Sequence, residues 1–162
     1  MTVTRFAIVG SGWRSAFYLR VAAALPERFK VSGLLSRDAT RRAAVGDSFG
    51  VRTPETLDDL LATEPEFVVV STPWPVTPGV LTELASRGVP ALAETPPAPD
   101  DAGLRALAPL ASTGRVQVAE QYQFQPLHAA RLEVVRSGRL AGTCLRGSWL
   151  PRRRPYPALP RP

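Results

Sequence analysis

Gly10 and Gly12 stand two residues apart in "VGSGWRS" (9–15), just where an apolar run ends. A glycine at the first position permits a tight turn, and one at the second lets an anionic group approach the backbone closely. If a helix follows, its free N–H groups and positive end point at that anion. The pattern G-x-G-x-x-G would place a third glycine where Ser15 stands, and serine followed by Ala16 is small enough to pack there. Trp13 and Arg14 belong to the same turn, and Arg14 carries a charge suited to a pyrophosphate.

Three other clusters carry polar groups at the ends of apolar runs. "LLSRD" (34–38) ends in Ser36 and Arg37, where an NAD-preferring site usually offers an acid to the ribose 2′-hydroxyl. An arginine beside a small hydroxyl suits a 2′-phosphate instead, so the expected cofactor is NADP(H) rather than NAD(H). Asp38 reads as a helix cap. "STPWPVTP" (71–78) places Thr72, Pro73 and Trp74 beyond the strongest apolar run, with Trp74 either overhanging a pocket or packing on prolines. "AETPPAP" (93–99) brings Glu94 and Thr95 out of another.

These groups need a scaffold that gathers strand ends. Strand-like runs occur at 5–10, 29–36, 66–73, 89–94 and 115–122, and helical spacing at 13–25, 38–50, 55–65, 78–88, 100–114 and 126–138. Asp38, Thr56 or Glu55, and Asp100 stand near helix starts, Pro78 in a first turn and Gly88 at a C-terminus. Pro109 must shorten or kink its helix. Alternation at this spacing predicts an α/β fold, a doubly wound parallel sheet of the Rossmann dinucleotide-binding type. We count six strands before residue 123, the valine-rich one as the fourth.

"AIVGSGWRS", "VVVSTP", "AETPPAP" and "EQYQFQPLHAARLEVVRSGRLAG", in this order, resemble the Gfo/Idh/MocA family of NAD(P)-dependent oxidoreductases over residues 4–149. The resemblance implies a Rossmann domain followed by a larger α/β domain that carries much of the substrate site and usually the oligomer interface. It also implies hydride transfer between the nicotinamide and a small carbinol/carbonyl or imine substrate. Gly10, Gly12, Trp13 and Arg14 are then expected at the pyrophosphate, and Ser36 and Arg37 at the adenosine ribose. Thr72, Pro73, Trp74, Glu94 and Gln121 are expected around the nicotinamide. The family's strand-end Glu-Lys-Pro is Glu94-Thr95-Pro96 here, so Thr95 replaces the catalytic lysine. A threonine hydroxyl offers only a neutral hydrogen bond. The resemblance suggests a cis Thr95–Pro96 bond. Thr77 stands where the family often has histidine, and Tyr122-Gln123 where it often has Tyr-Arg. Tyr122 is the candidate substitute proton donor. His128, the single histidine, falls on a helix and reads as structural or solvated.

The remaining composition narrows the classes. One cysteine, Cys144, excludes an intrachain disulfide and a cysteine metal cluster, and no metal site is expected. No apolar run reaches the roughly 20 residues of a membrane helix. The "MTVTRFAIVG" start lacks signal-peptide features, so a cytoplasmic protein with no membrane partner is expected. Four arginines of "PRRRPYPALPRP" (151–162) account for part of the +6 net charge, leaving +2 elsewhere, too little for a nucleic-acid surface. The expected partner is a small-molecule substrate, and full-length relatives are expected to be homo-oligomers.

The expected organisation is a NAD(P)-binding domain over 1–123 and a helix and first strand of a truncated second domain over 124–150. An unstructured Pro/Arg-rich tail over 151–162 follows, reading as a shifted frame or as a P-x-x-P ligand. Two rival functions stay open: a dinucleotide-binding module without catalysis, and a basic interaction protein acting through the tail.

Overall fold

The computed structural model describes residues 2–138. The expectations for Cys144, the first strand of the second domain and the 151–162 tail lie outside the described residues. The chain divides into two units, residues 1–120 and 121–162.

The first unit is a five-stranded parallel sheet in the order β2-β1-β3-β4-β5. The strands are β1 (Thr4–Val9), β2 (Phe29–Leu35), β3 (Phe67–Val70), β4 (Ala91–Ala93) and β5 (Val116–Val118). Five, not six, strands therefore precede residue 123, and the valine-rich strand is the third. The connecting helices are α1 (Trp13–Ala24), α2 (Ala39–Phe49), α3 (Leu57–Leu61), α4 (Thr77–Ser86) and α5 (Asp101–Ala111). Asp38, Thr56 and Asp100 cap α2, α3 and α5, each side chain accepting from a backbone N–H three residues on. Helix α5 ends at Ala111, two residues after Pro109, whose missing N–H removes one helical hydrogen bond, so it is shorter than the 100–114 span read from the sequence.

Two apolar layers explain why this sequence makes a doubly wound sheet. Side chains alternate along a strand. In β1, Phe6 and Ile8 pack with Leu19, Ala22, Leu34 and Val69 on one face. Ala7 and Val9 pack with Leu60, Val68, Val70, Leu81 and Leu84 on the other. Val68, Val69 and Val70 are all fully buried, as a central strand covered on both faces requires. The Phe6 ring stacks on Phe67 at 5.3 Å and meets Phe29 edge-on at 6.3 Å, joining the amino ends of three neighbouring strands.

Because β2 and β3 flank β1, the chain changes direction across β1, and a crevice opens beyond the carboxyl ends of β1 and β3. The polar strand-end clusters read from the sequence in the first unit follow the carboxyl ends of β1, β2, β3 and β4.

The second unit, described as far as Gly138, holds a 3-10 turn (Gln121–Phe124) and α6 (Pro126–Arg136). The strand expected over 115–122 thus stops at Val118, and the 3-10 turn takes its last residues.

Leu81 is fully buried in the layer beneath α4. Leu81→Ala is expected to cost about 2–5 kcal/mol, read as a lower urea midpoint at unchanged slope.

Candidate dinucleotide site

The β1–α1 turn is held from both sides. Gly10 N–H donates to the Leu35 carbonyl at 2.8 Å, and Ser71 N–H donates to the Val9 carbonyl at 2.8 Å. Gly10 has φ 120°, and a Cβ there would fall 2.1 Å from the Ser71 carbonyl oxygen. No L side chain fits that contact, so glycine is demanded by both conformation and space. Gly12 differs: it is the N-cap of α1 at φ −80°, and a Cβ would meet nothing within 4 Å.

The amino end of α1 is left open towards that space. No side chain caps it, in contrast to α2, α3 and α5, and no acid stands in its first turn. The first N–H groups of a helix have no intrahelical partner. Ser15 lies one turn in, 1% exposed, and its Oγ lacks a hydrogen-bond partner among the described residues. A glycine approach, open helical N–H groups and an orphaned buried hydroxyl fit a bound pyrophosphate.

The surrounding polar groups are paired with one another. At the β2 tip, Ser36 is 9% exposed and its hydroxyl lies 2.8 Å from that of Ser11. Arg42 Nη1 donates to the Ser36 carbonyl at 2.9 Å and its Nη2 to Glu55 at 2.6 Å. Arg37 is exposed. After β3, the Thr72 and Thr77 hydroxyls meet at 2.8 Å. Thr77 is 2% exposed, so the residue in the family's histidine position serves as an internal clamp on the Thr72–Pro73 turn. Pro73 and Trp74 are exposed in that turn.

After β4, Glu94 is the focus of a three-residue network. Arg14 Nε donates to Glu94 Oε2 at 3.0 Å, and Tyr18 Oη donates to Oε1 at 2.6 Å. The carboxylate is 11% exposed and the Arg14 side chain 25%. Arg14 also lies over the Trp13 ring, 4.8 Å from its centroid. Burial, then the Glu94 hydrogen bond and charge, hold the Tyr18 phenol well above its usual range, so it remains a donor. Next in the chain, Thr95 is exposed and precedes a cis bond to Pro96.

The residues expected at the site thus divide. Gly10, Gly12, Trp13, Arg14, Ser36, Arg37, Thr72, Pro73, Trp74, Glu94 and Thr95 all follow the carboxyl ends of β1 to β4. Gln121 and Tyr122 lie, exposed, on the 3-10 turn of the second unit, and His128 lies on α6. Sequence reasoning missed Tyr18 and Ser11. Tyr18 follows Arg14 by four residues and so shares its helix face. The common partner, 76 residues from Tyr18, is not visible in that spacing. Among the described residues, no His, Cys, Asp and Glu group is arranged to hold a metal ion. No helix there is long and apolar enough to cross a membrane.

The raised Tyr18 phenol has a sign. The folded chain holds its proton where the unfolded chain releases it, so its stabilisation is complete below about pH 10 and declines as pH rises further. Denaturation midpoints measured across the alkaline range should fall more steeply for the wild type than for Tyr18→Phe.

Comparison with known proteins places this geometry. The sequence matches the GFO_IDH_MocA family, described as an oxidoreductase family with an NAD-binding Rossmann fold, over residues 4–122. It is 31% identical over 145 residues to inositol 2-dehydrogenase of Leifsonia xyli subsp. xyli, an alignment covering 85% of this chain and 43% of that protein. The WlbA dehydrogenase of Bordetella pertussis, solved with NADH and UDP-GlcNAcA, superposes with a TM-score of 0.75 at 21% identity, over 86% of this chain and 44% of that one. An oxidoreductase of Agrobacterium radiobacter, solved with NAD+, L-tartaric acid and magnesium, gives 0.67 at 24% identity, over 85% and 41%. This chain therefore spans less than half the length of these relatives.

The cofactors of these two solved structures overturn the expected preference for NADP(H). The β2 tip gives the physical reason: the Ser36 hydroxyl that was to support a 2′-phosphate is buried against Ser11, and Arg37 stands exposed beside it. Fold, strand-end glycines and sequence match agree, and the chain belongs to the Gfo/Idh/MocA oxidoreductase family, with the family's Rossmann domain over residues 4–122.

Proposed function

We propose that this chain binds NAD(H) in the crevice beyond β1 and β3, as the cofactor-binding part of an oxidoreductase acting on a small carbinol/carbonyl or imine substrate. The open amino end of α1, reached across Gly12, carries this reading. On it, residues 1–123 form the cofactor domain.

A bound nicotinamide dinucleotide supplies hydride transfer at C4 of its ring. Around it the chain's own groups have distinct duties. The Gly10–Gly12 turn and the α1 N–H groups take the pyrophosphate. Ser36 and Arg37 border the adenosine ribose. Thr72, Pro73 and Trp74 border the other half from β3, with Thr72 held in place by Thr77. Glu94 and Thr95 border it from β4.

Thr95 limits the chemistry. Its hydroxyl donates a neutral hydrogen bond to a substrate oxygen but holds no ionisable proton near neutral pH. The proton that accompanies hydride transfer to or from an alcohol is therefore assigned to another group; Tyr122, the candidate read from the sequence, belongs to the second unit. A second reading, dinucleotide binding without turnover, is favoured by that same threonine in the lysine position.

NADH titrated into the chain should enhance its own fluorescence saturably. Gly12→Ala should leave the melting temperature unchanged, since its Cβ meets only open space. It should weaken NADH by about tenfold or more, because the methyl occupies the pyrophosphate's approach. Unchanged affinity in that variant would contradict the assignment.

A further inference from the structure

Glu94 is an unusual strand-end acid because both of its oxygens are already engaged, and by residues of a single helix. Arg14 and Tyr18, one turn apart on α1, reach a residue 80 and 76 positions away. Arg14 approaches Oε2 and Tyr18 approaches Oε1, which fixes the carboxylate plane as well as its position. A carboxylate offers about four lone-pair sites. Two are used here, and two remain for a ligand.

The sheet order says which part of a ligand they would meet. β2 lies on one side of β1, and β3 and β4 lie on the other. With the diphosphate at the α1 terminus, one half of a dinucleotide runs over β2. The other half runs over β3 towards β4, two strands or about 10 Å from β1. Glu94 leaves β4 on that second side, its N–H donating to the Val70 carbonyl at 2.9 Å. The nicotinamide riboside carries hydroxyl and amide donors but no anion, so an acceptor is the complementary group.

We propose that Arg14 and Tyr18 are positioning residues that hold the Glu94 carboxylate as an acceptor for the nicotinamide riboside half of the bound cofactor. The inference rests on the NAD(H) reading above. It also reassigns Arg14: the guanidinium acts through Glu94, and the diphosphate is left to the α1 N–H groups. One helix thereby serves both halves of the ligand, its amino end holding the diphosphate and its side chains orienting the acceptor at β4.

Calorimetric titration of the full chain with NADH and, separately, with ADP tests this. ADP retains the adenosine and the diphosphate but lacks the nicotinamide riboside. Tyr18→Phe removes one hydroxyl and keeps the ring. It should weaken NADH about tenfold while leaving ADP unchanged, as loss of a hydrogen bond to a charged group implies. Arg14→Lys should show the same split, because lysine keeps the charge but lacks the fixed Nε geometry. Circular dichroism of each variant establishes that it is folded. Equal losses for NADH and ADP, or no loss for either, would overturn the positioning role while the dinucleotide reading stands. A wild-type chain that binds neither probe would overturn both.

Discussion

The close approach of Gly10 to the Ser71 carbonyl is the constraint on which the rest of the site depends. A Cβ at residue 10 would stand 2.1 Å from that oxygen, well inside any contact distance. Only glycine lets the chain leaving β1 press against the end of β3 and turn into α1 there. The two adjoining backbone hydrogen bonds, to Leu35 and from Ser71, lock β1 between its neighbours at the same level. The amino end of α1 is consequently delivered to the crevice without a capping side chain. Its N–H groups are left without capping partners by that geometry, and helix amino ends of this kind attract anions.

Around this point the strand ends are fastened by side chains. Ser11 meets Ser36, and Arg14 with Tyr18 meets Glu94, across the sheet, while Thr72 meets Thr77 within the β3–α4 connection. Each pair ties a loop that would otherwise move to an element already fixed by the two apolar layers. The Arg14–Glu94 pair is partly shielded from solvent, which makes it costly to break by removing one member. Organisation of this kind reduces the ordering a ligand must bring about when it binds.

Much of the fold was legible because its signals are local. The three valines of β3, the caps at Asp38 and Asp100, and the glycine turn at 10–12 each follow from a few neighbouring residues, and the structure settles Thr56 over Glu55 as the cap of α3. Strand ends were less legible: β5 stops at Val118 because Gln121–Phe124 closes into a 3-10 turn. The count of six strands exceeded the five strand-like runs that the sequence offers before residue 123, and those five are the strands of the sheet. What remained hidden were partners distant in sequence. Arg14 could be seen near a phosphate, but its contact with Glu94 depends on the order β1-β3-β4 in the sheet. Ser36 was seen as free to hold a phosphate because its partner, Ser11, sits 25 residues away. Thr95 was legible as a departure from the family's lysine, and the structure gives it an exposed place after β4 beside the Glu94 network.

The most direct measurement is an amide correlation spectrum of the isotope-labelled chain, recorded as NAD+ is added. A dinucleotide in the crevice should shift the amides of Gly10, Ser11, Gly12, Trp13 and Arg14 first and furthest. Thr72, Glu94 and Thr95 should follow, while the amides of α5 stay in place. Spectra that do not change, or shifts that spare the β1–α1 turn and gather elsewhere, would contradict the site.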